Sequence, residues 1–263
     1  MMLLLTYLVL GAGAGLLAGL FGIGGGLVIV PVLIFAFTWL QFAPETLVHL
    51  AVGTSLATII PTSISSAWSH HKRQGVDWSW VVFLTPGLMV GALLGAYTAS
   101  LLSGLALQKV IGTFVLLVSV QMALQMKPKP AAQVLARPWR IFAGGVIGWA
   151  SAIFGIGGGT LSVPFLTWCR LAMHRAVGTA AALGLPIALF GAAGSLLAGW
   201  GRPDLPDWAS GFVYWPAAAA IVVTSVPFAR LGTRLAYFLP ERRLKLLFAL
   251  LLLLVGLRFL FGS

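Results

Sequence analysis

Charge is scarce in this chain. Of its 263 residues only 8% are Asp, Glu, Lys or Arg, and just five are acidic. A water-soluble domain has about a quarter of its residues charged, so this chain cannot cover a water-facing surface. No acidic residue falls inside an apolar segment. That counts against a carboxylate-based proton or sodium site and against a cation as cargo. Cysteine is nearly absent too. Cys169 stands alone, which excludes a disulfide framework and a multi-cysteine metal centre. No metal and no cofactor are expected. No Gly-Lys-Ser or Gly-Lys-Thr follows the glycine-rich runs, so there is no nucleotide P-loop, and ATP drive would need a separate protein. Short alternating segments, the mark of a transmembrane β-barrel, are missing. So are long polar loops, which a scaffold for soluble partners would need.

What is present is apolar. Hydrophobic residues make up 60% of the chain and the mean hydropathy is +1.02. The apolar runs are long, and in a bilayer only helices satisfy the backbone over such runs. The reading is an all-α polytopic integral membrane protein. The net charge of +11 lies in short loops between apolar runs, where basic residues set topology and meet anionic lipid. Nucleic-acid binding is not expected. The first twenty residues have no basic leader region and belong to the fold, because the end of this stretch recurs mid-chain.

That recurrence is an internal repeat. Phe21-Gly22-Ile23-Gly24-Gly25-Gly26 returns as Phe154-Gly155-Ile156-Gly157-Gly158-Gly159, and through Leu33 and Leu166 nine of 13 positions are identical. His49-x-Ala51-Val52-Gly53-Thr54 matches His174-x-Ala176-Val177-Gly178-Thr179; Ala57 and Pro61 match Ala182 and Pro186. A weaker match pairs Leu94-Gly95 with Leu231-Gly232. The chain therefore divides into a first membrane repeat at 1–127, a linker at 128–138 and a second repeat at 139–263, together one integrated transmembrane domain.

Each half holds five apolar segments, near 3–20, 27–40, 46–68, 78–102 and 107–125, and near 139–154, 160–170, 175–199, 211–229 and 244–261. The second of each set is too short to span at 1.5 Å per residue, so the pair around each glycine cluster predicts a broken or re-entrant helix pair, followed by three spanning helices. If that pair returns to its starting side, one face of the membrane collects 13 of the 16 basic residues. The positive-inside rule then puts the linker in the cytoplasm and makes the two halves inverted repeats.

Glycine-rich breaks have chemical consequences. Each Gly costs about 1 kcal/mol against Ala inside a helix, and Pro31 and Pro164 follow the two clusters as further helix breakers. A broken helix exposes an N-terminus whose free N–H groups and dipole bind anions. Paired breaks at Gly24, Gly25, Gly26 and at Gly157, Gly158, Gly159 would cradle a small oxyanion without a buried Lys or Arg. Gly11, Gly15 and Gly19 read instead as helix packing. Thr54, Ser55 and Thr179 are candidate hydroxyl donors to the anion; back-bonding to the preceding turn is the bland alternative. Ser55 faces Ala180 in the repeat, so any site is asymmetric. His49 and His174 are proton-coupling candidates, because an unperturbed imidazole titrates near pH 6.5. Most tryptophans, including Trp68, Trp78, Trp139 and Trp215, sit at segment ends as an aromatic belt.

These duplicated Phe-Gly-Ile-Gly-Gly-Gly and Ala-Val-Gly-Thr blocks resemble the signature of the sulfite exporter TauE/SafE family, and the resemblance spans nearly the whole chain. It implies a bacterial inner-membrane permease for sulfite, thiosulfate, sulfonates or related organic anions, generally working as an exporter, with the core motif on Gly24–Gly26 and Gly157–Gly159 and on Pro31 and Pro164. The expected function is a secondary transporter working by alternating access, with a passive anion channel as the alternative. An enzyme is not expected, since His49 and His174 alone supply neither a nucleophile–base pair nor a full ligand set. The expected partners are the small anion and the lipid bilayer; a homodimer is compatible with the pattern.

Overall fold

The computed structural model describes residues 8–9, 11–13, 15–16, 26–124, 136–236 and 241–261. The first glycine cluster up to Gly25 and most of the linker, 125–135, lie outside them. The fold is all-α. In chain order the helices are α1 (Gly26–Trp39), α2 (Pro44–Lys72), α3 (Trp78–Leu101), α4 (Gly104–Ala123), α5 (Arg137–Phe154), α6 (Gly158–Trp168), α7 (Met173–Ala198), α8 (Trp215–Ala236) and α9 (Glu241–Phe261). Helical residues at 8–9, 11–13 and 15–16 precede them.

Among the described residues, α2, α3, α4 and α7 are long and apolar enough to cross a membrane. Their outward faces carry exposed Val82, Leu94, Leu117 and Leu197. Such a surface fits hydrocarbon as its solvent. By contrast α1 has 14 residues and α6 has 11, or about 21 and 16 Å of helix, short of the ~30 Å core. Local signals set the starts: the Asp77 carboxylate accepts the Ser79 N–H at 3.2 Å ahead of α3, and Ser103 accepts that of Ala106 at 3.3 Å ahead of α4.

Glycine seams join the helices. On α5, Gly144 and Gly148 press on Leu84 and Leu88 of α3, and α3 returns Gly87, Gly91 and Gly95 against α5 backbone from Ile141 to Trp149. Gly11 and Gly15 press on Ile221 and Ser225 of α8 in the same way, as expected for packing glycines. The first helical stretch of each half thus packs on the fourth segment of the other half. The longest helices, α2 and α7, cross beside each other in the centre, while α4 and α9 meet through Gly112 and Gly256.

Two features depart from the sequence expectation. The chain runs helically through Pro31 and Pro164, so the interruption in the second half sits at its glycines and not at the proline. A proline several residues into a helix forfeits one carbonyl bond without ending it when packing holds the turn. The segment expected at 211–229 starts later as α8, because Ala209–Ser210 and Val213–Tyr214 pair antiparallel as a tight hairpin ahead of it.

Candidate functional site

The second glycine cluster is a true break. α5 ends at Phe154, Gly155 takes the left-handed conformation at φ 63°, and Gly157 is extended with no side-chain cap on α6. Only glycine adopts the Gly155 geometry at little cost. The N–H groups of the first α6 turn therefore have no side-chain acceptor. Ile59 of α2 lies beside Gly157, and Ala180 and Gly184 of α7 lie beside Gly158. A Cβ built on Gly184 would sit 2.7 Å from Ser63 Oγ and 3.3 Å from the Gly158 nitrogen, so the bare glycine lets α7 pass close to both that hydroxyl and the α6 N-terminus.

The two halves meet at this point. Gly26, the last glycine of the first cluster and the start of α1, lies against the Gly155 carbonyl and Ile156 Cα; a Cβ there would approach both to 2.8 Å. Gly24 and Gly25 lie outside the described residues. A narrow apolar cleft beside Gly26 is lined by Gly26, Val30, Ile111, Phe114, Phe154 and Ile156. Phe114 and Phe154 seal one side with rings stacked 3.8 Å apart.

The Ala-Val-Gly-Thr blocks do something the sequence did not disclose. Thr54 Oγ1 on α2 accepts the backbone N–H of Tyr214 at 2.9 Å, and Thr179 Oγ1 on α7 accepts that of Asp77 at 2.9 Å. Both threonines are fully buried. Beside them, a Cβ on Gly53 would overlap the Phe212 carbonyl oxygen, and one on Gly178 that of Gly75. The spacing that pairs Leu94 with Leu231 also pairs Gly75 with Phe212, Asp77 with Tyr214 and Trp78 with Trp215. Equivalent residues thus make reciprocal contacts: each half's Gly-Thr pair seats the loop that precedes the fourth segment of the other half. These hydroxyls already accept a backbone bond. Ser55 is engaged too, donating to the Gly155 carbonyl at 2.8 Å.

The two candidate histidines have unlike surroundings. His49 is buried, with Nε2 3.1 Å from the carbonyls of both Ala99 and Leu102 and its ring stacked on Phe212 at 4.9 Å. His174 is exposed in the first turn of α7. Sequence reasoning missed three hydroxyls flanking the break, Ser151, Thr160 and Ser162, whose oxygens are buried without a hydrogen-bond partner. Buried polar groups are nearly always paired, so these three oxygens are exceptions gathered beside the break. Their repeat counterparts are Ala18, Leu27 and Ile29, and that lack of repetition hid them.

Apolar spanning helices around an uncapped, buried helix start define a multi-pass membrane protein of the transporter class. The chain belongs to the sulfite exporter TauE/SafE family, whose model matches residues 7–259. It is 37% identical over 254 residues to a probable membrane transporter protein of Haemophilus influenzae, covering 96% of both chains. A probable membrane transporter protein of Bacillus subtilis, YunE, is 28% identical over 94% of both chains. A third relative of the same description, from Methanocaldococcus jannaschii, is 26% identical over 98% of this chain and 95% of its own. No solved structure matches the chain.

Proposed function

We propose that this membrane transporter is a secondary carrier that exports a small sulfur-containing or organic oxyanion, such as sulfite, thiosulfate or a sulfonate, across a bacterial inner membrane. The observation that carries the reading is the uncapped N-terminus of α6 at Gly157–Gly159, buried against Ile59, Ala180 and Gly184 and flanked by the orphan hydroxyls of Ser151, Thr160 and Ser162. Free N–H groups at a helix start attract negative charge most strongly where water is excluded. Gly24–Gly26, the same motif in the first half by repeat, are proposed as the matching set of amides. Ser55, Thr54 and Thr179 contribute by holding the walls: Ser55 occupies the Gly155 carbonyl that would otherwise repel an anion.

Inverted repeats and alternating access go with this reading. The loop contact at Thr54 lies 18 residues of helix before the end of α2 at Lys72, beyond which the other loop sits, a separation of about 27 Å. That is close to a bilayer core, which supports a pseudo-two-fold axis in the membrane plane. The basic residues at Lys72, Arg73, Arg137, Arg140, Arg170 and Arg175 lie on one side in this topology, with the linker, and we assign that side to the cytoplasm. One half rocks against the other around the glycine breaks, with His49 and His174 as the proton-coupling candidates.

The test is flux in proteoliposomes of purified protein, with sulfite, thiosulfate, sulfate and methanesulfonate offered with and without a pH gradient. Saturable uptake of at least one, with counterflow from preloaded vesicles, is expected. Flux without saturation or counterflow would make the protein an anion channel, and no flux of any anion would remove the reading.

A further inference from the structure

Two loops are seated by the same device, and they sit at opposite ends of α2 and α7. One is the hairpin Ala209–Tyr214. Its Phe212 N–H bonds to the Ser195 carbonyl near the end of α7 at 3.1 Å, and its Tyr214 N–H bonds to Thr54 in the first half of α2 at 2.9 Å. The other is Gly75–Asp77, directly after α2. Its Gly75 N–H bonds to the His70 carbonyl near the end of α2 at 2.9 Å, and its Asp77 N–H bonds to Thr179 near the start of α7 at 2.9 Å. Each loop therefore bridges the end of one central helix and the beginning of the other.

The glycines explain why the bridges are tight. At Gly53 and Gly178 the loop carbonyl approaches so closely that no side chain fits between. The bridges nevertheless differ in chemistry. The hairpin is held by rings: Phe212 stacks on His49 at 4.9 Å with Arg202 5.6 Å from its centre, and Tyr214 meets Phe37 and Phe42 edge-on at 5.7 and 5.3 Å. The opposite loop is held by charge, with Asp77 Oδ2 3.3 Å from Arg175, both partly exposed. A half-exposed ion pair contributes little to stability. A contact of that strength suits a loop that must leave and return.

We propose that these two loops are the outer and inner gates of the carrier, hairpin Ala209–Tyr214 on the outer side and Gly75–Asp77 on the inner, and that seating one requires unseating the other once the substrate path opens. This rests on the transporter reading and on the inverted topology above. In the structure both loops are seated, the arrangement an occluded state of such a cycle requires. Opening to one side unseats one loop from its Gly-Thr pair and leaves the other in place. The coupling runs through α2 and α7, since each carries the seat of one loop and the anchor of the other.

The experiment needs no knowledge of the anion. Thr54→Cys and Thr179→Cys are introduced singly and labelled in sealed vesicles with a membrane-impermeant maleimide from either side. Both positions are fully buried and each cysteine replaces a seating hydroxyl, so unseating is read as the change in labelling rate between backgrounds that carry the same cysteine. The native Cys169 is buried and gives a low background, which the parent protein measures directly. In the Gly178→Ala background, where the new methyl displaces the inner loop, Thr179→Cys should label from the inner side at least tenfold faster and Thr54→Cys should label more slowly. Gly53→Ala should give the mirror image from the outer side. Asp77→Asn and Phe212→Ala weaken the same two seats without adding an atom against the backbone, and serve if an alanine variant fails to insert. Rates that rise together at both positions, or that do not move, overturn the gates. The transporter reading stands or falls separately, on the flux assay.

Discussion

The hydroxyl of Ser55 donates to the carbonyl oxygen of Gly155 at 2.8 Å, across 100 residues of sequence. It ties the long central helix of one half to the left-handed glycine at which the other half breaks. Ser55→Ala leaves that buried carbonyl without its donor, at a cost of about 0.5–2 kcal/mol inside a membrane protein. A lower thermal midpoint in detergent and reduced flux are expected, with Ser55→Thr restoring both. Flux and midpoint unchanged in Ser55→Ala would mean that the bond does not position the break.

Gly155 itself should not tolerate a side chain. Its φ of 63° costs an L-residue about 1–2 kcal/mol, and a Cβ would meet Val30 at 2.7 Å. Gly155→Ala should therefore unfold several degrees below the parent. Gly13 makes the control, since a Cβ there meets nothing within 4 Å. Gly13→Ala should be neutral or slightly stabilising because alanine favours the helix. Equal midpoints for the two variants would argue that the break is not strained.

A larger side chain at the start of α6 should stop transport without stopping insertion. A Cβ at Gly158 overlaps the Ala180 carbonyl oxygen and would lie 2.8 Å from the Gly184 nitrogen, so a side chain there pushes α7 away from the helix start that the anion is proposed to meet. Gly158→Val is expected to insert and abolish flux, and Gly25→Val, its counterpart by repeat, to do the same. Normal flux in both variants, measured at matched protein in the vesicles, would end the glycine-break mechanism.

The acid side of the pH profile separates two kinds of group. Arg202 holds Asp204 through paired hydrogen bonds at 3.0 Å and keeps its carboxyl below the ordinary value of 3.8. A carboxylate with a depressed pKa contributes what it contributes above its unfolded value and loses it as pH falls through the folded one. Between pH 5 and 8 Asp204 therefore stays ionised, and Asp204→Asn should leave the shape of the flux profile in that range unchanged. His174→Ala should flatten the profile if protons drive transport. A profile that keeps its shape in His174→Ala, measured across pH 5–8, would retire that residue from coupling.

Much of this was legible before any coordinates. The ends of most helices fall within a few residues of the apolar segments, because hydropathy and length alone decide what a bilayer accepts. The short helices α1 and α6 were readable for the same reason. The hairpin before α8 was not. Phe212, Val213 and Tyr214 are apolar, and hydropathy does not distinguish a strand seated on a helix from the first turn of the helix that follows. Ser151, Thr160 and Ser162 carried no signal either, since a serine in an apolar run looks the same whether or not its hydroxyl finds a partner.

The amino-acid sequence by itself determined the solvent, the duplication and where the second half had to break, for each follows from composition or from the backbone freedom of glycine. It also determined that Gly-Thr would occur twice at matching places. What Thr54 and Thr179 bond to was decided only in three dimensions. A hydroxyl takes whichever N–H the crossing of α2 and α7 brings within reach, and here those N–H groups belong to Tyr214 and Asp77, each more than 100 residues away along the chain. Local propensity has no access to a partner at that distance; only the packing of one half into the other supplies it.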